Sequence, residues 1–217
     1  MTLPSAFGVK SKASERSQHS LIWMIELEYD KNASADFRMA AMRLREANVR
    51  SEVVLQQIDA PKNLARHALA FTCDIAPGNA GARIDLGTGR LVLLWDDAPQ
   101  ENWDNNFRII VFAKSPLETD IGFNDESSDL PWAWMMDGLR HRGASFSAEA
   151  GTTTRVISVG HGSIASQPAH AELELRASWC PTDNNMAAHL EAWQDLICLM
   201  SGLSLHGEEI PSIERRA

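Results

Sequence analysis

Arg176, Cys180 and His189 lie close together in one stretch, RASWCPTDNNMAAHLEAWQDLICLM, which runs from position 176 to position 200. A guanidinium can clamp an anion, a thiolate can attack, and an imidazole can take a proton, so these three types are the first candidates for chemistry. Arg155 is a second candidate anion ligand for such a site. Each also has a plainer reading. His189 lies beside an apolar helical stripe, and no HExxH pattern or second nearby histidine completes a metal set. A nucleophilic cysteine needs a positive, partly exposed setting. Cys198, between Ile197 and Leu199, reads as packing, whereas Cys180 ends a strand near Arg176.

Other short motifs are weaker. SVGHGSIA sets a histidine and a serine between glycines without the G-x-S-x-G order of a nucleophile elbow. GNAGAR and GTGR lack the Lys-Ser/Thr ending of a phosphate loop and read as turns. The acidic run 118–129 lacks calcium-loop spacing and reads as a solvated loop. No cofactor or metal is expected. Trp132 and Trp134 lie two apart on a helix, so both cannot face the core, and one is expected exposed or lining a groove. With Arg155, Arg176, Cys180 and His189 they form the candidate binding surface.

The elements that must position these residues are legible from periodicity. Phe37, Ala40, Ala41, Leu44 and Ala47 predict an amphipathic helix from Ala35. Strands are expected at SEVVLQQI and at ALAFTCDIA, and ARIDLGTGRLVLLWDD reads as a hairpin turning at GTG. LVLLW and FRIIVFA carry apolar residues on both faces, which predicts central strands covered on both sides. Pro131 opens a second helix carrying Trp132, Met135, Met136 and Leu139 inward, and Gly143 stops it. GTTTRVISV is a β-branched strand, and AHAELELRASW alternates with Ala171, Leu173, Leu175, Ala177 and Trp179 on one face. A third helix carries Met186, Leu190, Trp193, Ile197 and Met200, with Thr182 or Asp183 expected to cap it and Gly202 to end it. The order predicts an α+β fold: an antiparallel sheet of about five to seven strands with three main helices. That order is similar to the type III secretion chaperone-like fold, whose members bind protein segments, an analogy of fold alone.

Composition narrows the classes. Hydrophobic residues at 44% and charged residues at 23% are globular values. Residues 1–33 read as an N-terminal tail, partly disordered, in which LIWMIELEY could add an edge strand or an ordered arm; 34–205 read as one α+β domain and 206–217 as a polar tail. The net charge of -9 disfavours nucleic acid and anionic membrane. Three cysteines without a CxxC pair read as reduced thiols. The apolar LIWMI runs straight into Glu26 and Glu28, which does not suit a signal peptide, so a cytoplasmic location is expected.

The segments FRMAAMRLREANVRSEVVL, TGRLVLLWD, WDNNFRIIVFA, WAWMMDGLRHRGA, GTTTRVIS and AELELRASWCPTDNNMAAHLEAWQDLICLMSGL resemble an actinobacterial family catalogued as domain of unknown function 3000. They span about Phe37 to Leu203 in the family's order, and the last is the most specific. The longer N-terminus departs from the pattern. The resemblance implies an actinobacterial cytoplasmic protein and brings no reaction, cofactor or catalytic residue. A non-enzymatic protein-binding or adaptor domain, or a homo-oligomer, is therefore the leading expectation. The alternatives are an enzyme with a site near Arg176, Cys180 and His189, or RNA association through a patch such as Arg140, His141 and Arg142.

Overall fold

The computed structural model describes residues 27–76, 87–98, 100–117 and 129–205. Among the described residues three α-helices and a six-stranded antiparallel sheet follow in the order that the sequence predicts, and the helices lie on one face of the sheet. The elements are α1 (Ala35–Leu44), β1 (Val53–Ile58), β2 (His67–Ile75), β3 (Thr88–Trp95), β4 (Phe107–Leu117), α2 (Leu130–His141), β5 (Phe146–Ser158), β6 (His170–Pro181) and α3 (Met186–Met200). Their spatial order in the sheet is β1-β2-β3-β4-β6-β5. The tail at 1–26 and the acidic run at 118–128 lie outside the described residues.

Local chemistry sets the helix ends. Ser34 Oγ accepts the Phe37 N–H at 3.1 Å, relieving one free donor at the start of α1. Helices α2 and α3 both stop on a left-handed glycine, Gly143 at φ 72° and Gly202 at φ 76°. In each, the two residues past the cap donate back to the last turn, Ala144 to the Leu139 carbonyl and Leu203 to that of Cys198. Asp183 does not cap α3 as expected. Its carboxylate accepts the N–H groups of Asn185 and Ser145, tying the turn before the helix to the start of β5.

The alternation in β6 holds. Ala171, Leu173, Leu175, Ala177 and Trp179 are buried under the helices with Leu91, Leu93, Ile109, Val111 and Ala113 of the neighbouring strands. Met186, Leu190, Trp193, Ile197 and Met200 of α3 fill this layer, with α1 and α2 flanking that helix.

Two expectations for the central strands fail. GTG is not a turn: Thr88 and Gly89 lie inside β3, paired with Lys114 and Ala113 of β4. The expected first arm of that hairpin, at 82–86, lies outside the described residues. Gly89 is there because α3 comes close. A Cβ on it would sit 2.6 Å from Ile197 Cδ1 and 2.9 Å from Trp193 Cζ2. Nor are β3 and β4 covered on both faces. Among the described residues the face away from the helices is covered at one end, where the 102–106 loop meets Arg108 and Cys180. Beyond that end it is open, and Ile110 is 38% exposed. A run with apolar residues on both faces carries no sign of which one is uncovered.

The arm before α1 is not a strand over Leu27–Asp30. It is an ordered arm, as Gln57 both accepts the Glu28 N–H and donates to its carbonyl.

Candidate functional site

The strand period of two separates the three leading candidates. Arg176 and Cys180 share the face turned away from the helices, whereas Trp179 and the histidine it contacts lie in the helix-side core. Arg176, Cys180 and His189 therefore do not converge on one site.

His189 is fully buried, not at the edge of a stripe. The Trp179 Nε1–H donates to His189 Nδ1 at 3.0 Å, and the two rings stack with centroids 6.1 Å apart. Its Nε2 is buried without a partner among the described residues. Burial lowers the imidazole pKa to about 4 from its ordinary 6.5. It is a neutral core acceptor for the indole.

A pH dependence follows from this. Below about pH 6.5 the unfolded chain gains a proton that the folded chain refuses until about pH 4, so stability falls with pH across that window. At 1.36 kcal/mol per unit the loss by pH 4 is about 3 kcal/mol. His189→Gln keeps an acceptor for the indole but cannot titrate. Urea melts at pH 7 and pH 4.5 should show a smaller loss for this variant than for the parent. Equal losses would show that His189 does not set the slope.

Cys180 is enclosed on the other side of the sheet. Its Sγ accepts from the Asp104 N–H and from Arg108 Nη1, both at 3.4 Å. Arg108, missed in the sequence, also donates to the carbonyls of Asn102 and Ala148 and to Ser178 Oγ, and none of these four acceptors is a carboxylate. The cue was a single charge inside FRIIVFA. Only pairing of β4 with β6 shows that it meets Cys180. The group bridges β4, β6, the β5 bulge and the 102–106 loop, and Cys180 itself has no exposed surface. Cys73 and Cys198 are also buried and free, and burial pushes the Cys198 thiol up to about 11. These are poor settings for a nucleophile.

The basic patch proposed for RNA is tied down. Arg140 pairs with Asp137, and Arg142 binds Asp195 through Nε and Nη2 and Glu191 through Nη1. Asp195 also accepts from Arg50, whose other terminal nitrogen binds Glu52 and the Ser204 carbonyl. This network staples the α1–β1 connection and the end of α2 to α3. Among the described residues no group of three or more His, Cys, Asp or Glu could hold a metal ion.

The two tryptophans on α2 share the burial that one was expected to take. Both are half-buried against the core. Trp132 lies over Gly151 of β5, where a Cβ would be 2.6 Å from its Cζ3. Arg155 stands on β5 opposite Leu173, away from His189 and Cys180.

The open face of the sheet remains. Register aligns Thr72, Arg90, Phe112, Arg176 and Thr152 in one row across β2, β3, β4, β6 and β5. Arg176 lies over the Phe112 ring, 5.7 Å from guanidinium carbon to centroid. The adjacent row carries Ile58, Ala70, Val92 and Ile110. Phe112 and Val92 are half-buried, and Arg90 and Arg176 are exposed. Among the described residues no helix is long and apolar enough to cross a membrane.

No curated protein matches the chain, and no solved structure matches it. One family model matches residues 33–208, and its description reads "Protein of unknown function (DUF3000)".

Proposed function

The chain belongs to that family, and we propose from its surfaces that it is a non-enzymatic protein-binding domain whose open sheet face takes a segment of a partner protein. One observation carries the reading: a row of Arg90, Phe112 and Arg176 beside Val92 and Ile110, on a face that no helix covers among the described residues. A half-buried aromatic between two guanidiniums suits an apolar side chain flanked by carboxylates. In a molecule of net charge -9 that local pair of positive charges selects an acidic apolar segment rather than a polyanion. The enzyme reading loses its support, because its thiol and imidazole are both buried and lie on opposite sides of the sheet.

The test compares capture from native cells by the parent, by Phe112→Ala with Arg176→Ala, and by Thr154→Ala as a control on the same face. The partner recovered with parent and control should be lost with the double variant, by about tenfold or more if the aromatic and its arginine act as anchors. Melting curves establish that all three are folded. Equal recovery by the double variant would remove the open face as the binding site.

A further inference from the structure

The two edges of the sheet are treated differently. β1 has six residues, and its Gln57 holds the arm at Glu28. β5 has thirteen residues and, among the described residues, pairs with β6 alone. Its outer backbone is an open template for another strand. Thr152, Thr153, Thr154, Val156 and Ile157 are β-branched, and Val156 and Ile157 are 36% and 37% exposed. The bulge between Ser147 and Ala150, with Ala148 at φ 51°, blunts only the first end.

We propose that β5 pairs antiparallel with β5 of a second copy about a two-fold axis at Thr152, joining the two sheets into one. A strand that pairs with itself about residue 152 sets each position opposite the one equally far on the other side. Glu149 then faces Arg155 of the second copy, twice by symmetry, and these are the two charged residues of the strand. Gly151 faces Thr153, whose methyl group comes beside Trp132 where that ring lies over Gly151. Opposed unlike charges and β-branched neighbours both favour such a pairing, and a slip of two residues would lose the charge match. The open face stays free, so this inference and the binding reading above stand or fall separately.

The mass of the full chain is measured by sedimentation velocity across micromolar concentrations, and a dimer is expected. Thr152→Cys should form a disulfide-linked dimer under mild oxidant, because Cα atoms opposed across antiparallel strands are about 4.5–5.5 Å apart, within disulfide reach. All three native cysteines are buried, so they give little background. Glu149→Arg should weaken the dimer by about tenfold, the scale of two cross-strand pairs turned from attraction to repulsion, and adding Arg155→Glu should restore it. A monomer at every concentration overturns the proposal. So does a dimer that Thr152→Cys fails to link or that Glu149→Arg leaves unchanged.

Discussion

Asp195→Ala should destabilise the fold by about 3–5 kcal/mol, the cost of leaving buried charges without their partner. Arg142 binds this carboxylate with two nitrogens at 2.7 and 2.9 Å, and Arg50 adds a third bond at 3.0 Å. The Asp195 side chain is 4% exposed and that of Arg50 12%, so water cannot easily replace what is lost. Hydrogen bonding to Asp195, against partial burial, raises the Arg142 pKa above its ordinary value. Arg142 cannot shed its charge to escape the cost. It is 30% exposed and keeps Glu191, which pulls the expected loss toward the lower end. Chemical denaturation of parent and variant at neutral pH measures the difference. A loss below about 1 kcal/mol would mean that the guanidiniums resolvate through small movements of the α2 end, as exposed pairs do.

This network shows where the sequence stops being readable. Arg50, Arg142 and Asp195 are separated by 53 to 145 positions, and no local period joins them. Alternation in β6, the α3 stripe and the glycine stops at 143 and 202 were legible because each is a property of adjacent residues. The candidate site was not. His189 follows Ala188 beside the stripe, but α1 and α2 flank α3 and bury it over most of its circumference. A one-face reading of a helix fails once three elements surround it. The open face was hidden for the opposite reason: Val92, Ile110 and Phe112 are apolar whether covered or not. Arg90 and Arg176, the polar members of that row, were visible in the sequence. Only register puts them either side of Phe112.

Trp193→Ala should cost about 3–5 kcal/mol, the range for removing a large aromatic from a packed core. The stripe of Met186, Leu190, Trp193, Ile197 and Met200 placed this residue inward from sequence alone, and the structure leaves none of it exposed. Two features place the effect toward the upper end. The indole lies against Gly89, whose missing side chain shapes the strand to receive the ring, so collapse around the void is limited. Its Nε1–H donates to the Phe112 carbonyl at 3.2 Å, and truncation leaves that carbonyl without this donor. Trp193→Phe restores much of the volume without the N–H and should cost less, separating packing from the hydrogen bond. The Phe112 carbonyl belongs to the residue at the centre of the open-face row, so the variants also probe that face. If Trp193→Phe melts near the parent yet loses the partner that Phe112→Ala with Arg176→Ala loses, then α3 holds the binding strand in position through this bond. If Trp193→Ala itself melts within about 1 kcal/mol of the parent, α3 is not packed on β3 and β4 as described, since buried aromatics do not come out that cheaply.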